Sequence, residues 1–152
     1  MSGISNDTEF RQALEGLDAT RQRVVAAKFV EHVLDLADDE RLAMVNRTAA
    51  NSAAPDSELV AALSAARAAT FDSHTRCGSE GDWSEQAGYF VARAAAAAVT
   101  PAGQLPGGSA WQAAMSCRMA RTCRSIAQAA ADNPAAEESA AQYRILSEFL
   151  DS

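Results

Sequence analysis

The chain has 152 residues, of which 36 are alanine, and its formal net charge at pH 7 is −7. This length suits one domain with a core of its own, and alanine favours helices because it gives up no side-chain entropy on entering one. The negative charge argues against a general nucleic-acid-binding protein, which would need a basic surface.

Capping residues and Gly or Pro breaks divide the chain into helices. Before the central helix, the predicted starts are Asp7 or Thr8, Asp18 or Thr20, Asp38, Asp56 or Ser57, and Asp82. The corresponding ends are near Gly16, Ala37, Asn51, Ser73 and Thr100. A final helix follows Asn133, with Pro134 at its first position. No long alternation of period 2 occurs, so no strand is predicted.

The stretch from Ser109 to Ala131 is the predicted central helix. Ser109 and Gln112 together resemble a capping box at its start. Bulky residues recur along one face at helical spacing, and alanine and cysteine recur along another. We therefore expect neighbouring helices on both faces, with the closest approach on the side of the small residues.

These patterns predict an all-α fold for residues 1–152 as a single domain, either a six- or seven-helix bundle or a HEAT-like layered array. The sequence leaves open whether residues 1–17 pack on the body or form a loosely attached helix. The most apolar stretch, residues 87–99, is too short for a membrane span and contains Arg93. Without a signal peptide or a disulfide framework, a cytoplasmic location is expected.

The segment from Phe71 to Glu85 is predicted to be a loop rich in chemically active side chains. Its polar members are Asp72, His74, Arg76, Cys77, Glu80, Asp82 and Glu85. His74 and Cys77 could be metal ligands, or a thiol and its base. Two residues do not complete a zinc site, so the alternative is a loop that ends one helix, with Asp82 capping the next. No cofactor is predicted.

Arginines on two helices form a second candidate site. Arg118, Arg121 and Arg124, together with Arg93, could bind an anion, because a guanidinium makes bidentate contacts with carboxylates and phosphates. Since acidic residues outnumber basic ones, the favoured alternative is pairing inside the protein, with acids such as Asp72, Asp82 or Glu85.

Trp83 and Trp111 both stand at helix starts. They are either core residues or anchors of a partner surface, and a homodimer through these aromatic helix starts is one version of the second reading. His32 and the helical cysteines Cys117 and Cys123 are interpreted as core or boundary residues.

Four segments carry a resemblance to a known group. They are FVEHVLDL (29–36), ELVAALSAARAA (58–69), QAGYFVARAAAAAV (86–99) and AWQAAMSCRMARTCRSIAQAA (110–130). In their order and their alanine-rich amphipathic pattern, these helices resemble the Ala-rich helical immunity proteins of bacterial toxin systems, the Imm-5-like group. The resemblance implies a small protein that binds and blocks a toxin, and it assigns no functional residue.

The leading hypothesis is a non-enzymatic, helical protein-interaction domain of immunity or regulatory type, because no complete catalytic set is present. The alternative is a small metal- or anion-binding enzyme or sensor. It would use the 71–85 loop and the edge formed by Arg118 and Arg121.

Overall fold

A computed structural model of the protein describes residues 3–77, 82–129 and 133–152, without the side chains of Arg76 and Cys77. Within these ranges the chain forms seven α-helices, one 3-10 turn and no strand. The elements are α1 (Asp7–Glu15), α2 (Ala19–Glu31), the 3-10 turn (Leu34–Leu36), α3 (Glu40–Ala50), α4 (Asp56–Cys77), α5 (Trp83–Ala98), α6 (Ser109–Ala127) and α7 (Pro134–Asp151). The helices pack against one another as a bundle, which confirms the all-α prediction.

Most helices begin where a short polar side chain can accept a hydrogen bond from the first turn. Asp18, Asp82 and Asn133 cap α2, α5 and α7 as predicted. The predicted caps of α1 (Asp7 or Thr8) and α3 (Asp38) are wrong. Asn6 caps α1 and Asp39 caps α3. The first backbone N–H groups of a helix lack a partner within it, so nearby polar residues compete to satisfy them.

Helix α2 ends earlier than predicted. It stops at Glu31 rather than near Ala37, and the chain tightens into the 3-10 turn. Val33 and Leu36 remain buried in this tighter geometry. No glycine or proline marks this end, and the apolar pattern continues beyond it. The sequence therefore predicted a longer helix.

Helix α4 is longer than predicted and takes up half of the expected 71–85 loop. Residues 71–77 are helical, and Trp83 already lies in α5. Thr70 and Thr75 donate hydrogen bonds to the carbonyls of Ala66 and Phe71, at 2.8 and 2.9 Å. These bonds give both hydroxyls a partner within the helix, so the polar side chains do not require a loop here.

The boundaries of α6 also correct the prediction. Its N-cap is Gly108, at φ +95°, and the Gln112 amide donates to the carbonyl of Pro106 at 2.7 Å, so Ser109 and Gln112 form no capping box. The helix ends at Ala127, and Ala129 adopts a left-handed conformation at φ +52°. Residues 130 and 131 of the predicted helix lie outside the described part of the chain.

Helix α6 lies at the centre of the bundle and packs against α1, α2, α5 and α7. Four members of its predicted small stripe are buried: Ala110, Ala113, Cys117 and Ala120. Ala127, also predicted for this stripe, is exposed because it lies at the end of the helix, and Ala131 is outside the described residues. Ala114 and Cys123, which were not predicted for it, are buried as well. The bulky stripe is covered only in its first half, where Trp111 and Met115 pack on the core. Met119 and Ile126 are each 45% exposed, so the expectation of a fully covered bulky face is wrong.

The N-terminal helix packs on the body rather than standing apart. Phe10 and Leu14 are buried. The Phe10 ring lies 5.6 Å from Phe29 of α2, 6.2 Å from Trp111 of α6 and 5.4 Å from Tyr143 of α7, measured between ring centroids. One aromatic side chain thus ties α1 to three other helices. Over the described residues, we find no helix with both the length and the apolarity to cross a bilayer.

Candidate partner-binding groove

The predicted arginine edge is occupied from within the protein. Arg121 donates from Nε to the Glu138 carboxylate at 3.1 Å and from Nη2 to the carbonyl of His32 at 3.1 Å. The other Glu138 oxygen lies 2.8 Å from His32 Nδ1, and the Glu138 side chain is 1% exposed. This Glu138 cluster joins α2, α6 and α7.

Arg118 is held in the same way by Asp7, from α1. Its guanidinium makes a bidentate contact with the Asp7 carboxylate at 3.0 and 2.9 Å, and its Nε donates to Gln142 at 2.8 Å. The Tyr143 hydroxyl donates to Asp7 at 2.7 Å. Hydrogen bonding from Arg118 lowers the pKa of Asp7 below its ordinary value of 3.8. The partners are therefore internal, as favoured, but they are Asp7 and Glu138 rather than Asp72, Asp82 or Glu85.

Cys117 lies close enough to this polar network for the charges of Glu138, Arg121 and Arg118 to act on its thiol. Its side chain is fully buried, and burial raises the pKa of the thiol. The thiolate is the reactive form of cysteine, and burial disfavours it here, so the structure supports the interpretation of Cys117 as a core residue.

The described candidates of the predicted 71–85 loop do not converge on a metal. Across residues 3–77, 82–129 and 133–152, no three His, Cys, Asp or Glu side chains are placed to hold one. The His74 ring packs on Tyr89, with centroids 5.5 Å apart. The side chains of Arg76 and Cys77 lie outside the described residues, so pairing of His74 with Cys77 stays a prediction.

Asp82 and Trp83 have different surroundings. The Asp82 carboxylate accepts from the backbone N–H of Ser84 at 2.8 Å, which gives it a structural role as a cap. The Trp83 side chain is exposed, whereas Trp111 stacks near Phe10 and under the guanidinium of Arg11. Of the two tryptophans, only Trp83 is free to anchor a partner.

A concave surface of about 520 Å³ crosses α4, α5 and α6 and is closed at one end by the loop before α6. We call it the basic groove and define it by Arg67, Phe71, His74, Tyr89, Arg93 and Ser116. Two of the predicted candidates, His74 and Arg93, meet here, whereas Arg118 and Arg121 do not line it. Its volume lies in the range usual for binding pockets.

The groove carries positive charge on an acidic protein. No acidic side chain lines it among the described residues. The guanidinium of Arg93 lies 5.8 Å from the ring centroids of both Tyr89 and Phe90, which orients its charge. No ion pair links Arg67 to the rest of the described chain, and Phe71 is 70% exposed.

Sequence reasoning missed Arg67, Phe71 and Tyr89. A signal was present, because Arg67, Phe71 and His74 are spaced i, i+4 and i+7 and so share one face of α4. The prediction of a loop over residues 71–85 concealed it, since Phe71 and His74 were then not placed on a helix face. Arg67 was interpreted as part of an ordinary alanine-rich helix.

A second concavity of about 600 Å³ lies where α3, α4 and α5 meet. It differs from the basic groove because its lining mixes acidic residues with Arg41 and Arg124. The Arg41 guanidinium bridges the carboxylates of Asp39 and Asp72, at 2.6 and 2.9 Å. These contacts join α3 to α4, so we assign them to the fold.

No protein-family model, curated protein or solved structure matches the chain.

Proposed function

We propose that the protein is a non-enzymatic helical interaction domain, of immunity or regulatory type, that binds another protein through the basic groove. The observation that carries the proposal is the meeting of Arg67, His74 and Arg93 beside the exposed ring of Phe71. Aromatic residues and arginine are the side chains most enriched at the energetic centres of protein interfaces.

The alternative of a catalytic or anion-binding site at Arg118 and Arg121 has less support. Both guanidiniums already bind carboxylates of the protein itself, those of Asp7 and Glu138. An external anion would have to displace these contacts and leave the buried Glu138 carboxylate without its arginine partner, which is costly.

The proposal is tested by capturing a partner from the native host with four forms of the purified protein. These are the wild type, Phe71→Ala, Arg93→Ala, and Val60→Ala as a control at another exposed apolar residue of α4. We expect one stoichiometric partner to be retained by the wild type and by the control. Each groove variant should bind the purified partner about tenfold more weakly, because interface centres contribute most of the affinity.

A partner that binds all four forms equally would contradict the proposal, as would turnover by the purified protein that survives Phe71→Ala. A homodimer through Trp83 is a separate alternative, and light scattering on dilution would reveal it. An immunity protein in particular should abolish the toxicity of its captured partner in cells, and the Arg93→Ala variant should not.

A further inference from the structure

We infer that the occupant of the basic groove is an acidic helix of the partner protein, with carboxylates spaced to meet three cationic or donor positions, an inference that rests on the function proposed above. It specifies the chemistry of the partner surface, which the proposed function leaves open.

The three positions follow the groove in order. Arg67 and His74 stand seven residues apart on α4, which is about 10.5 Å along the helix axis. On α5, Tyr89 faces His74, and Arg93 lies one turn beyond Tyr89. From this contact the groove follows α4 back to Arg67 and α5 onward past Arg93, so the two helices run in opposite directions and Arg93 falls between His74 and Arg67.

This spacing matches one face of an α-helix. Residues at i, i+3 or i+4, and i+7 of a partner helix also span about 10.5 Å and lie on the same side. Carboxylates at these places would meet Arg67, Arg93 and His74 in turn. The imidazole of His74 supplies an N–H donor in either protonation state, so this contact does not require a charged histidine.

Phe71 sets a second requirement. It shares the face of α4 with Arg67 and His74 and is 70% exposed. An occupant that buries this ring needs an apolar side chain between its carboxylates. An amphipathic acidic helix meets both requirements, whereas a purely acidic chain meets only the first.

The local charge of the groove, rather than the net charge of the protein, favours such a partner at this site. The net charge of −7 repels an acidic segment at long range. At physiological ionic strength that repulsion is screened beyond about 8 Å, so the local charge of the groove decides contact. A nucleic acid, with one negative charge per about 1.7 Å of duplex, would extend beyond the groove onto repelling surface.

The test begins with a displayed library of helical peptides, varied on one face and selected against the wild-type protein. We expect selected sequences to carry Asp or Glu at i, i+3 or i+4, and i+7, with an apolar residue between them. The best peptide is synthesised and measured by fluorescence anisotropy. Its affinity should fall as salt is raised.

Charge reversal then locates the binding site. The double variant Arg67→Glu/Arg93→Glu should bind the peptide at least roughly a hundredfold more weakly, since each close charge pair contributes about tenfold. The matched control Arg47→Glu/Arg144→Glu changes the net charge by the same amount at two exposed arginines outside the groove, on α3 and α7, and should bind within about twofold of the wild type. Circular dichroism checks that both variants keep their helix content.

Two outcomes would overturn the inference: selected peptides without enrichment of acidic residues, and equal binding by the double variant and the control. In either case, the binding of the native partner decides what remains. If Phe71→Ala still weakens that binding, the proposed function stands and only the acidic helix is wrong. If Phe71→Ala leaves the binding of the native partner unchanged as well, both the proposed function and the acidic helix are wrong. If the wild type forms concentration-dependent dimers and the double variant does not, the occupant of the groove is a second copy of this chain and not a partner helix.

Discussion

At the scale of single residues, the ionic contacts that join the helices link distant parts of the chain. Asp7 and Arg118 are 111 positions apart, and His32 and Glu138 are 106 apart. The carboxylate of Glu138 is almost fully buried, and it is satisfied from two sides by Arg121 and His32. Such a group stabilises the fold only while both partners remain in place.

Glu138→Gln should therefore lower the free energy of unfolding by about 2 kcal/mol, because hydrogen bonds between charged groups exceed those of a neutral amide. Urea denaturation measures the change. The matched control is Glu15→Gln in the exposed pair of Glu15 with Arg11, where no measurable loss is expected. Equal effects of the two substitutions would show that burial of Glu138 adds nothing.

Asp7 gives the fold a dependence on pH. Because Arg118 lowers its pKa in the folded state, the carboxylate contributes stability above its unfolded pKa, and the contribution is lost as pH falls through the folded value. Asp7→Asn should then be less stable than the wild type at pH 7, with the difference shrinking below about pH 4. Urea midpoints from pH 7 downward measure it. If the stability difference between the wild type and Asp7→Asn does not change with pH, the loss comes from altered hydrogen-bond geometry and not from the charge of Asp7.

At the scale of helices, capping and periodicity predicted which segments are helical but not every end. Asp18, Asp82 and Asn133 were recognisable because an N-cap depends only on neighbouring residues. The end of α2 at Glu31 and the extension of α4 to Cys77 were not, because no glycine or proline marks the first and the polar sequence of residues 71–77 resembles a loop. The same limit applies to the site: His74 and Arg93 were predicted candidates, but only the folded chain brings Arg67 beside them.

The buried alanine stripe of α6 leaves no room for larger side chains. Ala113 is fully buried where α6 meets its neighbours. Ala113→Leu should lower the free energy of unfolding by about 2 kcal/mol, because extra methyl groups in a packed core force the backbone to shift. Thermal or urea unfolding measures it. Ala68→Leu, on the exposed side of α4, is the control, and a loss of similar size there would show that the stripe is not tightly packed.

At the scale of the whole molecule, the contacts of α6 with α1, α2, α5 and α7 predict a single cooperative unit. The single-domain prediction can be tested through Trp111, which lies at the contact of α6 with α1. In Trp83→Phe, Trp111 is the remaining tryptophan of the chain. Its fluorescence and the helical circular dichroism signal should change at the same urea midpoint. An earlier fluorescence transition would mean that α1 and the start of α6 unfold as a separate unit.

The central position of α6 also fixes the order in which backbone amides exchange with deuterated solvent. The inner face of this helix is covered from several directions, so its N–H groups meet water only when much of the bundle opens. Amides in the middle of α6 should consequently be the last to take up deuterium. Those near Gln128 and Ala129, where the helix gives way to exposed residues, should label early.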